Sequence, residues 1–138
     1  MTRDALAYIR EEMKKSGHSL RAAQKLVKEK LTDDAISRAY YAIFHSARAA
    51  LKTKNIETKS HKGVISQFAL HLVKPGLIEA EYGDILRQEK EDREAGDYQP
   101  FFTFSAEEAQ KRVKDAEKFV LRIKKFHKDS GFGTLSKE

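Results

Sequence analysis

Between residues 33 and 54 the apolar positions fall at Ile36, Ala39, Tyr40, Ile43, Ala47, Ala50 and Leu51. Steps of three and four recur along this stretch, which is the period of one face of an α-helix. Ala39, Ala47 and Ala50 are small, so a neighbouring helix can approach closely there. Thr32 is placed to cap this helix, and Asp33 and Asp34 put negative charge against the positive end of its dipole.

The same period organises the rest of the chain. Residues 3–30 carry Ala5, Tyr8, Ile9 and Met13 before Gly17, and Leu20, Ala23, Leu26 and Val27 after it, with Leu31 just beyond continuing the stripe. The run Ser16-Gly17-His18-Ser19 interrupts this stripe. Glycine costs about 1 kcal/mol in a helix interior, so the chain can break there into two helices. Leu31 and Thr32 leave only a tight connection, which implies an antiparallel helix pair. Residues 55–59 are polar and read as a loop. Ser60 can cap a helix over 61–73 with Val64, Ile65, Phe68, Ala69 and Leu72 on its apolar face, ended by Pro75-Gly76. A fourth helix is predicted over 78–95 on Tyr82, Ile85 and Leu86. Its second half, RQEKEDRE, reads as exposed, and Gly96 is placed to stop it. Residues 97–104, DYQPFFTF, read as an ordered loop whose aromatics plug one end of the core; a base-stacking platform is the alternative. Ser105 and Glu108 form a capping box for a last helix to 128, with Ala109, Val113, Ala116, Phe119, Val120 and Ile123 buried. Residues 129–138 should fray. The expected fold is all-α, an antiparallel bundle of four long helices plus one short helix, with residues 1–128 forming a single domain.

Composition supports that picture and narrows the chemistry. At 138 residues, 40% of them hydrophobic, the chain can bury its own core. The absence of cysteine excludes disulfides and thiolate metal sites. No apolar run approaches a membrane span, and the N-terminal residues lack a secretory core, so a cytoplasmic protein with no membrane contact is expected. The formal net charge of +6 favours polyanionic partners, though 27 basic residues stand against 21 acidic ones and the bias is mild.

Chemistry concentrates on the second face of the helix at 33–54. Arg38, Tyr41, His45, Arg48 and Lys52 step by three and four along one line. Seven residues of α-helix turn through roughly 700° and rise about 10.5 Å, so Arg38 and His45 point the same way two turns apart. The arginine offers a fixed cation and a fork of donors suited to phosphate. The histidine can take or give a proton near neutral pH. A solvated face or a helix–helix contact is the plainer interpretation of the same stripe.

Residues 37–48, SRAYYAIFHSAR, resemble the core motif of the HEPN superfamily, and more narrowly its small stand-alone archaeal and bacterial members. The stretches KSHKGVI at 59–65, REAGDY at 93–98 and AEKFV at 116–120 agree with that family in order. The resemblance implies one long first helix, kinked at most at Gly17. It implies a homodimer that brings two arginine–histidine pairs into a shared cleft. It further implies a metal-independent RNA endonuclease with no cofactor, in which Arg38 and His45 are catalytic. Such proteins often act as the toxin partner of a minimal nucleotidyltransferase. Two departures stand out. Ala39 follows the arginine where many active members carry a polar residue, and Ala49 replaces the tyrosine that some toxins place four residues after the histidine. Arg93, Asp97 and Tyr98 match a second family motif and are expected to join Tyr41 and Arg48 in binding substrate or nucleotide, or else to fix the loop structurally. His61 and Lys62 open the third helix; with Ser60 capping, His61 is expected to be exposed. The five histidines show no helical metal-site spacing. Two further readings stay open: a non-catalytic module binding a nucleotide or protein partner, and a helical dimerisation adaptor.

Overall fold

A computed structural model of the chain describes residues 2–98, 101 and 103–131. Five α-helices follow one another: α1 (Arg3–Lys28), α2 (Thr32–Lys52), α3 (His61–Phe68), α4 (Ala80–Tyr98) and α5 (Ala106–Asp129). There is no strand among the described residues, and none of their helices is long and apolar enough to cross a membrane. α2 is the central element and packs against each of the other four. Its predicted apolar face, Ile36 through Leu51, is buried throughout. Fully buried Ile9, Phe68, Leu72, Leu86, Phe119 and Ile123 complete the core around it.

α1 runs unbroken through Gly17. The polar run that interrupts its stripe is a seam with α2: Ser16 is fully buried and its Oγ donates to the Ala42 carbonyl at 2.7 Å. The hydroxyl finds its partner on the neighbouring helix, which the small side chains of both helices allow to come close. At the α1–α2 turn Lys30 adopts φ +62, and the Leu31 amide bonds back to the Leu26 carbonyl at 3.0 Å, satisfying a terminal carbonyl of α1. Thr32 is the first residue of α2 rather than its cap; Leu31 precedes it without a side-chain cap.

Three other boundaries depart from the sequence reading. α3 loosens into a π-helical turn at Ala69–Val73, which rotates Ala69 out to solvent while Leu72 stays buried. α4 begins two residues late and continues through Gly96 to Tyr98, so the glycine does not stop it. Phe101 is 99% exposed, so this aromatic does not plug the core. Ser105 caps α5 as predicted, accepting from the Glu108 amide at 3.1 Å. Its buried stripe is the predicted one, extended by Arg112, Phe126 and His127. Of the tail, residues 132–138 lie outside the described residues.

The RQEKEDRE segment of α4 is not uniformly exposed. Tyr82, Leu86, Glu89 and Arg93 step by four, three and four along the packing face, and Glu89 is fully buried. Helical period, not residue type, decides what faces the bundle.

Candidate active site

The polar stripe of α2 lies where α1, the first turn of α3 and the second half of α4 converge on it. Tyr41, His45, Arg48 and Lys52 are half-buried and Arg38 is exposed.

His45 is held from α1. Its Nδ1 lies 2.7 Å from Glu12 Oε2, and Glu12 is only 4% exposed. A carboxylate only accepts, so Nδ1 carries a proton, and in the neutral imidazole Nε2 keeps its lone pair. The second oxygen of Glu12 faces Arg48 Nη1 at 3.5 Å. Arg48 Nη2 also donates to the Tyr8 hydroxyl at 2.6 Å, and its guanidinium lies over the Tyr8 and Phe44 rings. Burial, with help from Glu12 and Glu57, pushes the Tyr8 phenol up against the opposing pull of Arg48, so it stays protonated. Lys52 pairs with Glu57 at 3.2 Å and flanks the same tyrosine.

One turn toward the start of α2 the charge balance changes. Arg38 has no carboxylate partner among the described residues; its guanidinium sits 5.0 Å from the centre of the Tyr41 ring. Arg93 of α4 sits 5.0 Å from the same ring and donates to the Tyr41 hydroxyl at 2.9 Å. Two guanidiniums are thus gathered on one aromatic ring, each gaining cation–π attraction. Together they form a positive surface beside His45.

A third layer lies beneath. The His61 ring stacks on Phe44 at 4.5 Å, and its Nδ1 is hydrogen-bonded to the hydroxyl of fully buried Tyr40. Ser60 caps α3 as predicted, accepting from the Gly63 amide at 2.9 Å, but His61 is half-buried rather than exposed. A Cβ at Gly63 would come within 2.7 Å of Ser60 Oγ, so the glycine lets the cap sit where it does. Burial raises the Tyr40 phenol above its ordinary range. The same burial, then Arg93 and Lys90, push the His61 imidazole down, with Glu94 opposing.

The structure therefore brings Arg38, Tyr41, His45, Arg48 and Arg93 to one face. Asp97 and Tyr98 continue α4 in backbone, and the expected roles of their side chains lie outside the described residues. Sequence reading missed Glu12 and Tyr8 and set His61 aside. Glu12 had a signal: it falls with Ala5, Ile9, Met13 and Ser16 on the buried face of α1, where a lone carboxylate needs a cation. No group of three or more His, Asp or Glu among the described residues is arranged to hold a metal. What the arrangement offers is a base on an oriented imidazole, fixed cations for an anionic group, and rings on which a base or sugar can rest.

Comparison with known proteins identifies the family. The family model for the HEPN domain matches residues 9–126. A Methanocaldococcus jannaschii protein named "Putative toxin" is 45% identical over 125 residues, covering 88% of this chain and 92% of its own length. A second protein of that organism with the same designation is 32% identical over 124 residues, 88% of this chain and 84% of its own. A UPF0332 protein of Pyrococcus horikoshii is 38% identical over 85 residues, 62% of this chain and 60% of its own. The family model reaches from within α1 to within α5 and covers most of the sequence, so the chain belongs to the HEPN family.

Proposed function

We propose that this protein is an RNA-cleaving toxin that needs no metal ion. The observation that carries the reading is the Glu12–His45 pair at 2.7 Å beside the uncompensated guanidinium of Arg38. His45 Nε2 takes the proton of a ribose 2′-hydroxyl. The 2′-oxygen forms a bond to phosphorus as the bond to the 5′-oxygen breaks, giving a cyclic phosphate. The proton passes from His45 to the departing oxygen, directly or through water. Glu12 steadies the imidazolium in between, and Arg38 holds the phosphate as its charge builds. The 2′-hydroxyl is an internal nucleophile, so no ion is required to activate water. Tyr41, Arg48 and Arg93 line the path of the strand, with Asp97 and Tyr98 assigned there by their motif.

Two relatives carry the word toxin in their names, which supports the biological role. Homodimerisation and a minimal nucleotidyltransferase as antitoxin belong to the same proposal, as does action in the cytoplasm. Ala39 is fully buried in the core, so the missing polar residue after the arginine lies off the polar stripe. The same cations favour a second reading, a module that binds a nucleotide without turnover.

Cleavage of a mixed RNA substrate in EDTA, by the parent and by His45→Ala, separates the two. Parent-only cleavage, with a loss of about 10²- to 10⁴-fold in the variant, is expected for removal of a general base. Equal activity in both proteins would sink the mechanism. No cleavage by either, together with nucleotide binding that needs Arg38 and Arg93, would leave the binding module.

A further inference from the structure

We infer that His61 is a second functional imidazole of this site, presenting an Nε2–H donor to the phosphodiester while His45 presents a bare Nε2. The inference rests on the RNA-cleavage reading and assigns to it a residue outside the Arg38–His45 pair.

The hydrogen bonding fixes the tautomers in opposite senses. Tyr40 is fully buried and its hydroxyl has His61 Nδ1 as its one hydrogen-bond partner among the described residues. A phenol held protonated by burial must place its single proton somewhere, and Nδ1 is the acceptor on offer. Nδ1 of neutral His61 is then bare and Nε2 carries the hydrogen. His45 is the mirror case, because Glu12 can only accept and so draws the proton to Nδ1. One imidazole is a base and the other a donor.

Both rings rest on the same side chains. Phe44 lies 4.5 Å from His61 and 5.6 Å from His45, and Tyr41 lies 6.3 Å and 6.2 Å from them. His61 Nε2 has no hydrogen-bond partner among the described residues, and the residue is only partly buried. A purely structural acceptor for Tyr40 would not need a second, unpartnered donor on the open side. The groups facing His61 are Tyr40, Tyr41 and Arg48 from α2, and Lys90, Arg93 and Glu94 from α4. The net cationic surroundings and burial keep the ring neutral, so it acts by hydrogen bonding rather than by releasing a proton. A neutral N–H aimed at a phosphoryl oxygen stabilises the charge that grows there as the 2′-oxygen attacks. No bond to His61 is made or broken.

The test compares the parent with His61→Ala and His61→Gln, whose amide nitrogen can reach the position of Nε2. Rates of RNA cleavage in EDTA are measured at matched folded fraction. Loss of about 10²-fold in kcat for the alanine variant, with KM little changed and substantial recovery in the glutamine variant, is expected for one lost donor. Alanine activity within twofold of the parent would overturn the role, and so would a glutamine variant no better than alanine. Side-chain ¹H–¹⁵N spectra of the unaltered protein give an answer that does not depend on folding of the variants. They should show His61 protonated on Nε2, with that resonance moving when a non-cleavable 2′-O-methyl oligoribonucleotide is added. A parent that cleaves no RNA would remove the nuclease reading. Inorganic phosphate then decides for His61 alone: a moving Nε2–H resonance retains the donor assignment, and an unmoved one rejects it.

Discussion

Among the described residues two glutamates are buried, Glu12 and Glu89, and they have opposite fates. Glu12, in the α1–α2 seam, is 4% exposed and has a cation or imidazole on each oxygen. Glu89, in the α4–α5 seam, is 0% exposed, and neither oxygen has a partner among the described residues. The nearby guanidinium of Arg112 is already taken by Asp92 at 2.5 Å, Glu108 at 2.6 Å and Asp115 at 3.3 Å. Burial above all, with Asp115 and Asp92 adding to it against Arg112 and Lys111, pushes the Glu89 carboxyl up to about 9. The comparison shows that burial alone does not decide the state of a carboxylate. A partnered one orients an imidazole; an unpartnered one becomes a neutral acid that weakens the fold when it must ionise.

Of the variants that set the two carboxylates apart, the largest effect should come from unpairing Glu12 from His45. Glu12→Gln keeps the shape but removes the charge that steadies the His45 imidazolium. We expect kcat for RNA cleavage to fall by about 10²- to 10⁴-fold, the upper end being the scale of losing a carboxylate behind a catalytic histidine, with KM nearly unchanged. A variant with parental kcat would mean that Glu12 serves packing only. A fall in affinity without a fall in kcat would point to Arg48, its other partner, as the group disturbed.

Glu89→Gln should act in the opposite direction and on stability alone. The folded protein holds a proton on Glu89 up to about pH 9, whereas the unfolded chain releases it near its ordinary value of 4.5. Between those values folding takes up a proton. The contribution is therefore whole below about pH 4.5 and is lost as pH rises toward 9. Glutamine does not titrate, so its variant should match the parent near pH 4 and exceed it at pH 8 by up to about 5 kcal/mol, at about 1.4 kcal/mol per pH unit above 4.5. Urea unfolding at three pH values reads this directly. Parallel pH dependences in parent and variant would show that Glu89 is solvated or paired in solution.

The same contrast explains what the sequence made legible. The helices announced themselves through apolar stripes, and the Arg38–His45 line was visible because both residues sit on one helix close to two full turns apart. Glu12 and Glu89 were hidden by their residue type: each lies on a buried stripe, yet a charged letter reads as surface. Following the register of Ile9, Glu12 and Met13, or of Tyr82, Leu86 and Glu89, places them inside. Their difference was not available at that level, since a partner on another helix is a tertiary fact. His61 was misjudged for a related reason. Its cap was read correctly, but the cap says nothing of Tyr40 and Phe44 waiting on α2. The run through Gly96 shows local propensity overridden, because a glycine is permitted to stop a helix but does not compel it.

The smallest effect tests whether the α1–α2 seam is as well satisfied as this contrast requires. Ser16 sits one turn beyond Glu12, is fully buried, and gives its hydroxyl to the Ala42 carbonyl at 2.7 Å. Ser16→Ala removes the donor entirely and leaves that carbonyl its own helical bond, so no buried group is orphaned. The cost should be about 1 kcal/mol, the net value of one internal hydrogen bond. The sign is opposite to that of Glu89→Gln at pH 8, and the size should not change with pH because nothing there titrates. RNA cleavage should stay within about twofold of the parent, well inside the losses that follow removal of a catalytic group. If unfolding showed no loss, the Ser16 bond would be matched by water in the unfolded chain and the seam would owe its stability to packing. If cleavage fell together with stability, the spacing of α1 against α2 would itself set the grip of Glu12 on His45, and the two seams would differ in geometry as well as in pairing.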